Sequence, residues 1–146
     1  MNQISIIIPV FNEAEIIEET LLKLVNNSSV ELIVVDGGSS DRTVEIVKKL
    51  GVKLVTSSKQ GRANQMNFGA SIANGEILIF LHADTQLPEK YQEIVNRILI
   101  ESRAIAGAFQ LKVNGTKKSL KFIERMVNWR SRFLALPYGD QAIFIS

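Results

Sequence analysis

The chain has 146 residues, 46% hydrophobic and 22% charged, which is the make-up of one ordinary soluble globular domain with room for a real core. It has no cysteine, so disulfides and thiolate metal sites are excluded, which fits a reducing compartment without requiring one. A formal net charge of +2 gives no ground for nucleic-acid binding, no apolar run approaches the ~18 residues of a membrane span, and Ile4–Val10 lacks the basic flank of a signal peptide.

Ile4–Ile8 is a strand of mostly β-branched residues, ended by Pro9 and Asn12. The spacing of Ile16, Ile17, Thr20, Leu21, Leu24 and Val25 predicts a helix over Glu13–Val25, with Glu13, Glu15, Glu18 and Glu19 at the positive end of its dipole. Asn26–Ser29 stops it. Leu32–Val35 is a second buried strand and ends at Asp36. The tight loop Gly37–Ser40 follows, and Ser40 or Asp41 can cap a helix over Arg42–Leu50, closed by Gly51. Val52–Val55 is a third strand, and Gly61–Ala73 a helix whose expected inner face is Ala63, Met66, Ala70 and Ala73.

Ile77–Leu81 has no polar alternation and reads as a strand buried on both faces, with His82, Asp84 and Thr85 at its carboxyl end. Pro88 suits the first turn of a helix reaching Glu101, with Tyr91, Ile94, Val95, Ile98 and Leu99 inside. Ala104–Val113 is expected as a strand, Asn114-Gly115 as a turn, Ser119–Leu134 as a long helix and Ala142–Ile145 as the start of a strand. The alternation predicts a three-layer α/β/α domain on a mostly parallel sheet. The stop in mid-strand at Ser146 leads to the expectation of a single domain over residues 1–146 that lacks a usual C-terminal part.

Three predicted strand ends carry polar clusters: Pro9–Glu13, Asp36–Asp41 and His82–Thr85. In a parallel sheet they share one edge, where ligands of open α/β sheets bind. Each cluster taken alone is also explained as strand termination and a turn. No Gly-x-Gly-x-x-Gly follows the first strand, and no Gly-x-x-x-x-Gly-Lys-Ser/Thr loop is present. A bound nucleotide would therefore be held through its base or ribose and through a cation on its phosphates. Hard Mg²⁺ or Mn²⁺ needs only one or two carboxylates besides phosphate oxygens.

Ser-Ile-Ile-Ile-Pro-Val-Phe-Asn-Glu (5–13), Val-Val-Asp-Gly-Gly-Ser-Ser-Asp (34–41), Asn-Phe-Gly-Ala (67–70) and Gly-Glu-Ile-Leu-Ile-Phe-Leu-His-Ala-Asp-Thr (75–85) resemble, in order, the motifs of family-2 glycosyltransferases with the GT-A, Rossmann-like fold. Leu-His-Ala-Asp-Thr and Leu-Pro-Tyr-Gly-Asp-Gln resemble one bacterial subgroup of that family. The resemblance implies transfer of a sugar from a nucleotide-diphosphate sugar, commonly UDP-linked, to an acceptor hydroxyl, with a divalent cation, Mn²⁺ or Mg²⁺. It implies that Pro9, Phe11 and Glu13 line the nucleotide pocket, that Asp36 accepts a hydrogen bond from the base, and that Asp84 ligates the metal and faces the donor phosphates. Asp41 is accounted for by helix capping.

Two positions depart from the family pattern. His82 stands where the first carboxylate of an Asp-x-Asp triplet is usual; it serves as a ligand that suits Mn²⁺ better than Mg²⁺, as a donor to the diphosphate, or as a purely structural histidine. Met66 stands where an arginine is common, and Arg62, one helical turn earlier, is either the replacement cation in the nucleotide site or a solvated residue at the start of its helix. The family's general base is expected beyond the strand that starts at Ala142. Asp140 is then the one nearby candidate for a catalytic carboxylate, better suited to lining the sugar or acceptor side, so this chain is expected to bind donor and turn over poorly. The competing function is a non-catalytic nucleotide-binding or membrane-docking module. Ser119–Leu134 and the two lysines before it carry six basic residues against one acidic, with two apolar rows. Packing on the sheet or on a further C-terminal part is the favoured role of those rows, and contact with an anionic membrane the other, which would make the acceptor a lipid-linked molecule. The expected location is the cytoplasm, with any membrane contact at the inner face, and cell-envelope polysaccharide is the expected product class.

Overall fold

The structure is a computed structural model that describes residues 3–101, 105–109 and 142–146. The strands are β1 (Ile4–Val10), β2 (Val30–Asp36), β3 (Lys53–Thr56), β4 (Ile77–Phe80), β5 (Ala106–Ala108) and β6 (Ile143–Ile145). The helices are α1 (Ile17–Leu22), α2 (Thr43–Lys49), α3 (Arg62–Ser71) and α4 (Tyr91–Glu101). The strands form one sheet in the order β3-β2-β1-β4-β6-β5. β3, β2, β1 and β4 are parallel, whereas β6 runs antiparallel to both β4 and β5.

β1 is the sheet's axis, and all seven of its residues are buried. Its period-two alternation feeds two cores. Ile4, Ile6, Ile8 and Val10 pack with Ile17, Leu21, Val47, Val95 and Leu99 from α1, α2 and α4. Ile7 packs on the other face with Ile33, Val35, Ala70, Ile72 and Ala73, on the α3 side. The expected three layers are present, and Ile77 and Ile79 of β4 are fully buried. Leu78 and Phe80, on the opposite face of that strand, are only half-buried.

Several boundaries move. α1 is shorter than the expected Glu13–Val25, because turns flank it at Ala14–Ile16 and Lys23–Asn26. α4 begins at Tyr91 rather than at Pro88, whose carbonyl instead closes a turn with the Tyr91 N–H (3.0 Å). The inner face of α3 is the expected stripe of small residues only in part, since Ala70 and, just after the helix, Ala73 pack against Ile7, Ile33 and Val35. Gln65 and Gly69 are buried, while Ala63 is exposed. Of the expected strand over residues 104–113, the structure describes β5; Ser119–Leu134 and Asp140 lie outside the described residues.

The chain order fixes where a ligand can sit. β2 and β3 lie on one side of β1 and β4 on the other, so the connection leaving β1 and the one preceding β4 diverge. At such a reversal the loops beyond the strands part and leave a crevice at the carboxyl edge.

Candidate functional site

A cavity of about 390 Å³ occupies that crevice. β1 contributes Pro9, Val10, Phe11 and Glu13 with the residues after it, β2 is followed by Gly37, α3 and the loop before it supply Gln60, Gly61, Arg62 and Gln65, and His82, Ala83 and Asp84 follow β4. Of the residues expected at the site, Pro9, Phe11, Glu13, Arg62, His82 and Asp84 meet around this one cavity. Asp36 lies behind it, next to Gly37 and 3% exposed. Its carboxylate accepts the N–H groups of Gly38 (3.0 Å) and Ser39 (3.1 Å) and so shapes the loop after β2. A carboxylate offers about four acceptor positions, so Asp36 keeps acceptor capacity beyond the loop.

The loops after β1 and β2 are fastened to each other. Asn12 has φ 55°, a left-handed conformation that asparagine tolerates better than most residues. Its N–H donates to Ser39 Oγ (2.9 Å), and its side-chain oxygen accepts the Ser40 N–H (2.8 Å). Glu13 N–H donates to Thr43 Oγ1 (2.8 Å) and Ala14 N–H to Asp41 Oδ2 (3.1 Å). Asp41 also accepts the Thr43 N–H (2.9 Å) in front of α2. It is thus engaged in capping and loop closure, and the Thr43 hydroxyl and these N–H groups hold its carboxyl below the usual range.

On the opposite wall, the Thr85 N–H bonds to the His82 carbonyl (3.0 Å) and closes a turn. The Thr20 hydroxyl of α1 donates to the Ala83 carbonyl and ties that turn to the body of the domain. His82 is 9% exposed, while Asp84 is exposed and accepts from Thr85 Oγ1 (3.2 Å). Burial pushes the Glu13 carboxyl above its ordinary value, and the negative charges of Asp84 and Asp41 push it the same way. Arg62 and His82 oppose that rise. The cavity therefore sets two carboxylates from opposite walls against each other, beside two basic side chains.

Among the described residues, no three His, Cys, Asp or Glu side chains group closely enough to hold a metal by themselves. The arrangement fits a hard divalent ion that takes one or two carboxylates and completes its shell with phosphate oxygens and water. The charge pressure of Asp84 on Glu13 is what such a cation relieves. Among the described residues no helix is long and apolar enough to cross a membrane.

Sequence reasoning missed Gln65. Its side-chain Nε2 donates to the carbonyls of Val10 (2.8 Å) and Val35 (2.8 Å), between the ends of β1 and β2. A signal was present in the i, i+4, i+7 and i+8 stripe of Gln65, Gly69, Ile72 and Ala73, which competes with the stripe of small residues.

Comparison with known proteins identifies related chains. The glycosyl transferase family 2 matches residues 5–143. An uncharacterised protein of Methanocaldococcus jannaschii is 29% identical over 94% of this chain and 59% of its own length. A dolichyl N-acetyl-α-D-glucosaminyl phosphate 3-β-D-2,3-diacetamido-2,3-dideoxy-β-D-glucuronosyltransferase of Methanococcus voltae is 31% identical over 73% of this chain and 38% of its own. Among solved structures, a mannosyltransferase of Pyrobaculum calidifontis in complex with GDP-Man and Mn²⁺ superposes with TM-score 0.70 at 25% identity, over 99% of this chain and 44% of that one. A glucosyl-3-phosphoglycerate synthase of Mycobacterium tuberculosis shares the fold with TM-score 0.72 at 19% identity, over 99% of this chain and 57% of that one. The chain thus spans 38% to 59% of the length of these relatives.

Proposed function

Because the chain belongs to glycosyl transferase family 2, we propose that its cavity takes the nucleotide-diphosphate sugar, UDP-linked, of a metal-assisted transfer to an acceptor hydroxyl. The observation that carries this reading is the meeting of Pro9, Phe11, Glu13, Arg62, His82 and Asp84 around one crevice at the sheet's reversal point. Phe11, half exposed at that crevice, offers a flat apolar face to a base. Asp36 accepts a base N–H with its remaining lone pairs. Arg62 and His82 face the diphosphate, and Asp84, with His82, holds the cation. Mn²⁺ or Mg²⁺ bound there would neutralise charge on the leaving diphosphate. Asp140, outside the described residues, is retained as the candidate on the sugar or acceptor side. The GDP-Man and Mn²⁺ in the mannosyltransferase complex support the donor class and the cation. The dolichyl phosphate in the name of the Methanococcus relative supports a lipid-linked acceptor.

Calorimetric titration of the 146-residue chain with UDP-glucose, UDP-N-acetylglucosamine and GDP-mannose, with and without Mn²⁺, tests the reading. Binding of one donor is expected, strengthened by Mn²⁺ and weakened at least about tenfold, or ~1.4 kcal/mol, by Asp84→Asn. Asp84 is exposed, so the fold should survive that change. Absence of binding to every donor with or without Mn²⁺, or unchanged Mn²⁺-dependent binding by Asp84→Asn, overturns it.

A further inference from the structure

We propose that Gln65 is a positioning residue for the nucleotide site: its carboxamide sets the spacing of the loops after β1 and β2, and through them the placement of Phe11, Glu13 and Asp36. The inference rests on the reading of the cavity as a nucleotide-diphosphate donor site. Gln65 is 4% exposed, a buried polar side chain on a helix otherwise packed through small and apolar groups. A buried amide without partners is costly, so its placement follows from the bonds it makes. Nε2 spans two strands, donating to Val10 O and Val35 O at 2.8 Å each. Val10 and Val35 directly precede Phe11 and Asp36 in the chain.

Val10 pairs with Asp36 at the last rung of the β1–β2 ladder. There the Val10 carbonyl also accepts the Gly37 N–H (2.9 Å), so one oxygen joins strand end, loop and helix. Gly37 packs on the same carboxamide: a Cβ at this position would stand 3.1 Å from the Cδ, Nε2 and Oε1 of Gln65. The absence of a side chain at Gly37 thus brings the β2 loop down onto the Gln65 amide. Arg62 sits three residues earlier on α3 and also lines the cavity, so the seating of Gln65 fixes where α3 presents Arg62.

Two variants separate positioning from bulk packing. Gln65→Met keeps length and volume and removes both N–H donors. Gln65→Glu keeps the shape but sets a carboxylate against two carbonyl oxygens. Each is measured for UDP and UDP-sugar affinity with Mn²⁺, and for amide hydrogen exchange. Gln65→Met is expected to weaken nucleotide binding at least about tenfold, and to speed exchange in the loops after β1 and β2 while leaving α2 unchanged. Gln65→Glu is expected to bind poorly at neutral pH and to recover part of the lost affinity as acidification protonates the introduced carboxyl, whose single O–H replaces one of the two donors, when affinities are compared at each pH. Binding within twofold of wild type by Gln65→Met, with unchanged loop exchange, overturns the proposal, as does a Gln65→Glu affinity ratio that ignores pH. If the wild-type chain binds no nucleotide, the donor-site reading falls, and the exchange comparison still decides whether Gln65 holds the loops.

Discussion

Replacing Glu31 by Gln should remove most of the acid sensitivity that one carboxylate gives the sheet. Glu31 lies on β2 at the edge opposite the cavity, where four segments meet. It accepts the Ser5 hydroxyl from β1, the backbone N–H and side-chain amide of Asn74 (both 2.8 Å), and Lys53 Nζ from β3 (3.0 Å). Its side chain is 15% exposed. Burial pushes the carboxyl up, but the Asn74, Ser5 and Lys53 donors outweigh it and hold it at about 2, below the ordinary 4.5. The folded state therefore prefers the ionised form. The corresponding stability is fully present above pH 4.5 and is lost as pH falls toward about 2. At roughly 1.4 kcal/mol for each tenfold change in acidity, the drop corresponds to about 3 kcal/mol. Urea unfolding of wild type and Glu31→Gln, compared at several pH values from neutrality to the acid limit of folding, reads it directly. The wild type should be the more stable at neutrality by about 2–3 kcal/mol, and the gap should close below pH 4.5. A gap of constant size across that range refutes the reasoning. Nucleotide affinity of the folded variant should stay within about twofold, because the network lies at the far edge of the sheet.

The other predictions concern the helix and loops around the cavity. Gly69→Ala would put a Cβ 2.4 Å from Ile7 Cγ2 and 3.0 Å from Val35 Cγ2. Overpacking of about 1–3 kcal/mol should outweigh the ~1 kcal/mol gain in helix propensity, so thermal denaturation should show a lower Tm; a higher Tm refutes it. Asn12→Gly and Asn12→Ala both lose the acceptor for the Ser40 N–H, but only alanine resists φ 55°. The alanine variant should be the less stable by about 1 kcal/mol in urea, and equal stabilities would count against a conformational role. Glu13 has a raised carboxyl, so its contribution is present below pH 4.5 and lost as pH rises through its folded midpoint. Glu13→Gln should therefore be more stable than wild type at neutrality, while Asp84→Asn should lower the Glu13 midpoint in a carboxyl-detected NMR titration. An unmoved midpoint would mean the two carboxylates do not face each other.

The strands were legible because their signal is local and strong. Ile4–Ile8 and Leu32–Val35 are dense β-branched runs, and the structure extends them only to Val10 and to Val30–Asp36. The clustering of Pro9, Phe11, Glu13, His82 and Asp84 followed from parallel topology, which brings every carboxyl end to one edge. α3 was not legible in the same way. Its weak periodicity gave a small-residue stripe of which Ala70 and Ala73 reach the core, but the packed face is turned so that Gly69 fits against Ile7, the Gln65 amide bonds two carbonyls and Ala63 is exposed. That choice depends on strands separated from Gln65 by 30 and 55 residues, which no local window contains. Pro88 misled for a similar reason: proline suits a first helical turn, but it equally suits the turn that precedes one.

The two walls of the cavity differ in how they are held, and that difference bears on what each can do. The wall after β1 and β2 is braced by Asn12, Asp41, Thr43 and Gln65 together, through side chains that reach across from one loop to another or from α3. Placing a base or ribose there would cost little ordering, because Phe11, Glu13 and Asp36 already sit in a linked frame. The wall after β4 is tied to α1 by the Thr20 hydroxyl at Ala83, just before the exposed Asp84, and by Gln86 Nε2, which donates to Glu19 Oε1 (3.4 Å). Asp84 is exposed beyond these ties, and under the donor-site reading it would be the carboxylate that meets a cation and phosphate oxygens. Under the donor-site reading both walls carry charge, Glu13 and Arg62 on the braced one and His82 and Asp84 on the other. Substitutions at Asn12 or Gln65 should therefore weaken nucleotide binding, and substitutions at Asp84 should change how strongly binding depends on the cation.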